Sequence, residues 1–241
     1  MSILLNIITI TKDDLEGLKR TIKSTKRIRE SHVVEQIIID SSNEPLKNEI
    51  KDFLNSETNI LYFWQKPMGR SSAFNYGITL SKAEWTWFLN GGDEIYHELN
   101  PDFIIDLLSK NNSDSIIFQL SYKQTAIIPR HAQMWALWPP VLARIPHPST
   151  IIRRKLFNKY GLFDEKLEIA MDLEFWLRCF INNVVVDLVS VPIAEFDETG
   201  ASKKLNIKTR AETKKVIRKY LWRIIKKWFR NAAIIIKSLI N

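Results

Sequence analysis

The stretch Trp87–Tyr96, WFLNGGDEIY, ends an apolar, aromatic run in one amide, two glycines and two carboxylates. Two chemistries fit those residues. One is a tight turn, in which Gly tolerates positive φ and Asn or Asp tolerates the left-handed region. The other is a loop that lets backbone approach a phosphate while a carboxylate holds its metal. Polar residues end other apolar runs too, at Thr9–Asp14, Asp40–Glu44 and Lys66–Arg70. Acids placed at such ends suit a metal-bound diphosphate. Other chemistries lack their residues. No GxGxxG, GxxxxGK[ST] or GxSxG pattern occurs, and His32, His97, His131 and His147 lack zinc-ligand spacing. Cys179 is the sole cysteine, which excludes an intrachain disulfide and a cysteine-based zinc site.

The elements around these residues alternate between two periods. LLNIITIT, EQIIID, NILYFWQ and EWTWFLN read as strands. DDLEGLKRTIKSTKRIRE, PLKNEIKDFLNSE and SSAFNYGITLSKA read as helices between them, with Ser71 and Ser72 as candidate caps of the third. The order βαβαβαβ predicts an α/β fold, a mostly parallel central sheet flanked by helices. Ligands of such sheets bind beyond the carboxyl ends of the strands, so four loops are expected to converge at one edge. The second half is less regular. NPDFIIDLLSK and AMDLEFWLRCFINN predict helices, STIIRRKLFNKYGLF a strand and a helix ended by Gly161, and VVVDLVSVPIAEF a strand. Glu174 and Arg178, at i and i+4, predict a helix-surface pair. Trp135 and Trp138 predict an ordered aromatic loop that packs a lid or stacks on a sugar or lipid.

A chain of 241 residues with 45% hydrophobic content can bury a full core. The net charge of +8 invites an anionic partner. Much of that excess lies beyond Lys203, and acids are nearly absent after Glu212, so the body carries no evident nucleic-acid groove. The segment IRKYLWRIIKKWFRNAAIIIKSLIN predicts a C-terminal amphipathic basic helix, Leu221, Ile224, Ile225, Trp228, Phe229 and Ala232 on its apolar face. Such a helix either lies in an anionic membrane interface or packs on the body, and membrane contact is the expectation. The start MSILLNIITITKDD is expected to be a first strand rather than a leader peptide, and no membrane span is expected.

In this order the segments resemble family 2 glycosyltransferases of the GT-A (Rossmann-like) fold, with bacterial colanic-acid and exopolysaccharide enzymes the nearest likeness. The resemblance rests on ITITKDDLEGL, IIIDSSNEP, KPMGRSSAFNYGITLSKAEWTWFLNGGDEIY, HPSTIIRRKLFNKYGLFDEKLEIAMDLEFWLR and AEFDETGAS, between about Ile7 and about Tyr220. It implies an inverting, metal-dependent transfer of a sugar from a UDP-, GDP- or dTDP-linked donor to a glycan acceptor, commonly lipid-linked. It places Asp40 by the nucleotide base and Thr9 and Thr11 along the same pocket. Asn90 approaches the donor's ribose or sugar, and Asp93 binds Mn²⁺ or Mg²⁺. Asn75, in the Asn-x-Gly-Ile stretch, joins the donor set. Asp172 is the general base, and His147 lines the acceptor side. The chain departs from the family where Asn90 and Gly92 stand at positions often held by Asp. Ser72 and Phe74 stand where charges are common, and Lys66 and Arg70 become candidate partners of the diphosphate, solvated loop charges being the alternative.

The expected division is a GT-A domain over 1–202, with a nucleotide-binding half (1–99) and an acceptor-binding half (100–202), followed by a basic helical tail over 203–241. The expected place is the cytoplasm, peripheral on the inner face of the plasma membrane. A catalytically weak nucleotide-sugar-binding protein is the alternative that the thinned acidic motif raises, and a basic nucleic-acid-binding protein a more distant one.

Overall fold

The computed structural model describes residues 2–122, 126–128, 145–196 and 207–240. Trp135, Trp138, the Gly200–Ser202 loop and the start of the tail from 203 to 206 lie outside them. Strands β1 (Leu5–Thr11), β2 (Val34–Asp40), β3 (Ile60–Trp64) and β4 (Trp85–Asn90) alternate with helices α1 (Leu15–Arg29), α2 (Leu46–Leu54) and α3 (Arg70–Leu80). The four strands are parallel in the order β3-β2-β1-β4, as helical crossovers between them require. All seven residues of β1 are buried because helices cover both faces of the sheet. Leu5 and Ile7 enter one core cluster with Trp85, Trp87 and Leu89, while Ile8 and Ile10 face another with Phe74 and Phe88.

Beyond β4 the sheet becomes mixed. A two-residue strand β5 (Glu94–Ile95), helix α4 (Pro101–Lys110) and strands β6 (Ser115–Tyr122) and β7 (Ala126–Ile128) precede a 3₁₀ turn at His147–Ser149. Strand β8 (Thr150–Arg153), helices α5 (Lys155–Tyr160) and α6 (Met171–Ile181), strand β9 (Val186–Phe196) and helix α7 (Ile207–Ile240) follow. The spatial order continues β4-β8-β6-β9-β5, with β8 antiparallel to both β4 and β6. That reversal has a positional consequence. Because Trp87 pairs with Ile151, the residues before β8 lie at the same edge as the end of β4. The Trp87 indole N–H donates to the Pro148 carbonyl at 2.7 Å and fixes this arrangement. The pairing of β5 with β9 was not legible in sequence, since two residues carry no periodicity.

The first part of the tail is part of the body. Val216 and Tyr220 are buried in the cluster that holds Phe175, Trp176 and Leu177 of α6. Glu174, 2% exposed, is the centre of the join rather than half of a surface pair. Its Oε2 meets Arg178 at 2.8 Å, and its Oε1 meets Lys219 at 3.2 Å and accepts from the Tyr220 hydroxyl. Arg178 also donates to the carbonyls of Tyr160, Gly161 and Leu162, which locks the end of α5 to α6. A buried carboxylate persists only with such partners, and the tail supplies two of them. Among the described residues no helix is long and apolar enough to cross a membrane.

Helix α3 lies so close to the sheet that a Cβ at Gly77 would sit 2.4 Å from Cγ2 of Ile8. Gly77→Ala is therefore expected to lose about 1–3 kcal/mol of stability through overpacking, measured by urea denaturation.

Candidate active site at the strand edge

The registers define one edge. Thr11 pairs with Asp40, Asp40 with Trp64, and Ile10 with Asn90, so the four parallel strands end side by side. Backbone donors at such an edge lack a strand partner, and side chains satisfy them. Asp14 caps α1 by accepting from the Gly17 N–H at 2.7 Å. Asp40, fully buried, accepts from the Ser42 N–H at 2.8 Å and from the Tyr62 hydroxyl at 2.9 Å. Burial and then this carboxylate raise the Tyr62 phenol well above its usual range. Exposed Trp64 closes the same corner, its indole N–H on the Ser42 carbonyl and its ring under the Lys47 ammonium at 4.5 Å.

The loop after β4 forms the tight turn that its residues allow. Gly92 adopts φ 106°, the left-handed side that glycine tolerates. Gly91 lies against β1, where a Cβ would be 3.2 Å from the Thr11 hydroxyl oxygen. Asp93 is 4% exposed, and its Oδ2 accepts from both the backbone N–H and the side-chain amide of Asn90 at 2.8 Å. Thr21 of α1 ties the loop from beneath, accepting from the Gly92 N–H and donating to the Asp93 carbonyl. Asn90 and Asp93 are thus brought together as a closed turn. Among the described residues no group of three or more His, Cys, Asp or Glu side chains is arranged to hold a metal. The loop offers one buried carboxylate, a donor set that matches only an ion carried chiefly by phosphate oxygens, as Mg²⁺ commonly is.

The opposite wall comes from the second half. Asp172 lies in the first turn of α6, half-buried, with Oδ1 accepting from the Leu173 N–H at 2.6 Å. Burial pushes its carboxyl up to about 6, while that N–H and the Arg70 guanidinium pull the other way. Arg70 also acts on His147, so Arg70, Asp172 and His147 form one electrostatic neighbourhood where α3 begins. Helix α3 starts at Arg70 with Gly69 as its N-cap, and Ser71 serves the second wall instead of capping. The Ser71 hydroxyl donates to the Leu167 carbonyl at 2.5 Å, near the thioether of Met171. Lys66 is exposed in the loop before α3.

Three of the expected site residues are engaged in packing. Thr9 is fully buried, its hydroxyl accepting from the Gln36 amide at 2.9 Å, so it lines no open pocket. Asn75 is a latch between the halves. Its amide donates to the Phe163 carbonyl and to Glu165, and its oxygen accepts from the Phe163 N–H, all within 3.0 Å. His147 is enclosed by Phe74, Phe88 and Phe163, with ring centroids 5.0, 4.9 and 5.6 Å away. Both ring nitrogens are shielded from water and lack a hydrogen-bond partner among the described residues. Burial, and secondarily Arg70, lower the imidazole to about 3, so it packs here as a neutral ring. Sequence reading missed Trp64, Thr21, Glu165 and Glu212, because each acts through a partner distant in the chain.

Residues 6–165 match the family described as Glycosyl transferase family 2. An uncharacterized glycosyltransferase of Mycobacterium tuberculosis is 28% identical over 207 residues, covering 81% of this chain and 75% of its own. An uncharacterized glycosyltransferase of Rickettsia conorii is 26% identical over 160 residues, 61% of this chain and 26% of its own. Among solved structures, S. aureus TarS 1-349 in complex with UDP-GlcNAc superposes with a TM-score of 0.66 at 14% identity. That likeness covers 85% of this chain and 62% of the TarS chain, and it shows the shared GT-A fold.

The latch assignment has a direct consequence. Asn75→Ala leaves the Phe163 N–H without its partner and is expected to cost about 1–3 kcal/mol of stability in urea denaturation.

Proposed function

On the premise that the chain belongs to glycosyl transferase family 2, we propose that it is an inverting enzyme that moves one sugar from a nucleotide-diphosphate donor to a glycan acceptor in bacterial polysaccharide assembly. The observation that supports this most is Asp172. Of the carboxylates at the strand edge, Asp14, Asp40 and Asp93 close turns or caps, while Asp172 combines partial burial with a carboxyl held near about 6 beside a fixed cation. A general base works best when its pKa lies near the working pH. The Asp172 carboxylate takes the proton of the acceptor hydroxyl as that oxygen attacks the anomeric carbon. The new C–O bond forms on the face opposite the bond to the β-phosphate, and the nucleoside diphosphate leaves with that electron pair. Arg70, at the N-terminus of α3, is a candidate partner for the charge that develops on it, with Lys66 in the preceding loop. Asp93 would hold Mn²⁺ or Mg²⁺ together with diphosphate oxygens, and such an ion would supply further neutralisation of the leaving group. Asp40, Thr11 and Trp64 would border the nucleotide base, and Asn90 the ribose or sugar. TarS in complex with UDP-GlcNAc makes UDP-GlcNAc the first donor to test.

Peripheral membrane contact is part of the proposal. Past Tyr220, Leu221, Trp222 and Phe229 are exposed by 45, 82 and 63%, while Lys219, Arg223 and Lys226 occupy another face. An apolar strip flanked by cations suits an anionic lipid surface and a lipid-linked acceptor on it.

The reaction is tested by nucleotide release from UDP-, GDP- and dTDP-sugars with and without Mn²⁺. Asp172→Asn is expected to lower turnover by about 10²–10⁴-fold with donor affinity retained, and near-wild-type turnover would overturn the assignment. In the wild type, turnover should rise with pH through about 6 and level off above it, because the base acts ionised. The linkage has the opposite sign for stability. A carboxyl raised in the folded state weakens the fold as pH climbs from its unfolded value through about 6, so Asp172→Asn should melt higher than wild type at pH 7. Membrane contact is tested with the full chain carrying Trp222→Glu and Phe229→Glu, since cutting after Arg218 would remove the partners of Glu174. Flotation with phosphatidylglycerol vesicles should fall sharply, and unchanged flotation would remove lipid contact from the proposal.

A further inference from the structure

Helix α6 reaches Asp172 after a short loop, and nothing in its own sequence caps it. The N-cap position is Ala170, which has no side-chain acceptor. The three backbone N–H groups before the helix, from Glu168, Ile169 and Ala170, nevertheless converge on one carboxylate. That carboxylate is Glu212, more than forty residues downstream in α7. Its Oε2 accepts from Ile169 at 2.9 Å and Ala170 at 3.1 Å, and its Oε1 from Glu168 at 3.2 Å. Successive N–H groups aimed at one point form an anion-binding nest, and a full negative charge is its best occupant. The same loop is gripped from its other side by Ser71, through the Leu167 carbonyl. Asp172 therefore sits two residues beyond a segment clamped between α3 and α7.

We propose that Glu212 is a positioning residue: by filling the nest at Glu168–Ala170 from the C-terminal helix, it fixes the start of α6 and so the place of the Asp172 carboxylate against Arg70. This rests on the reading of Asp172 as the base. Glu212 touches no substrate in this scheme, and its effect reaches Asp172 through the loop. Attachment of the tail is then a requirement of the reaction as well as of the fold. Loss of the nest's occupant would let the loop turn its N–H groups to water and carry Asp172 out of its half-buried setting. Glu212→Gln keeps one acceptor oxygen and loses the charge, so its effect should fall between those of wild type and Glu212→Ala.

The test uses the full chain and two readouts. The first needs no substrate: the carboxyl carbon of Asp172 is titrated by NMR. Its midpoint, near about 6 in the wild type, should fall by about one pH unit toward the ordinary carboxylate range in Glu212→Ala, and by less in Glu212→Gln. The second is UDP release from UDP-GlcNAc. Glu212→Ala should lower kcat by about 10-fold or more with KM within about two-fold, and should cost under about two-fold when added to Asp172→Asn. An unmoved Asp172 midpoint, or losses that multiply in the double variant, would overturn the proposal. If Glu212→Ala does not fold, Glu212→Gln carries both measurements. An active Asp172→Asn single variant would refute the base reading instead, and the NMR midpoints would still report whether Glu212 places that side chain.

Discussion

A parallel sheet leaves a row of backbone N–H and C=O groups at the carboxyl edge with no strand to receive them, and each must find a partner before the edge can bind anything. In this protein that requirement decides what its acidic residues do. Asp14 goes to a helix N-terminus, Asp40 to the turn after β2 and to Tyr62, and Asp93 to the turn after β4. Thr21 reaches up from α1 to hold the same turn. The edge is consequently stiff, with short polar contacts and two glycines that let the last loop lie flat on β1. On the proposed reading, the carboxylate that the chemistry needs comes from the second half of the chain, at the start of α6.

Parallel crossovers start each helix at the carboxyl edge, as they do for α1 and α3, and end it at the opposite one. Strand β8 runs the other way, so His147–Ser149 abuts the end of β4 and the aromatic cluster of Phe74, Phe88, Phe157, Phe163 and Phe175 fills the space beneath. His147 belongs to this cluster by burial and is held neutral by it. Asn75 and Ser71 then bind α3 to the loop that precedes α6. The two halves meet through α3, and the electrostatic neighbourhood of Arg70 and Asp172 is the product of that junction.

The parts legible in sequence were those written in local pattern. The βαβαβαβ order, the turn at Asn90–Asp93 and the helix stop at Gly161 all follow from spacing and residue type within a few positions. The gathering of strand-end loops followed from the parallel order. What could not be read were pairings across long sequence separations. The partnership of Thr9 with Gln36 and that of Asn75 with Phe163 are of this kind. Glu174 and Arg178 looked like a surface pair because their i, i+4 spacing says nothing about Lys219 and Tyr220 arriving from the tail. The β5–β9 pairing was hidden for the same reason, having too few residues to show a period.

The C-terminal helix has a geometric meaning beyond its contacts. Thirty-four residues at about 1.5 Å each give a rod of about 50 Å, anchored near its start by Glu212 and held again by Lys227 on the carbonyl and ring of Phe180. About 20 Å of helix follows Lys227. A rod bolted to a rigid body acts as a gauge. Whatever its far end rests on is held at a set height from the strand edge, so reach, as much as affinity, would decide which acceptor hydroxyl meets the carboxylate.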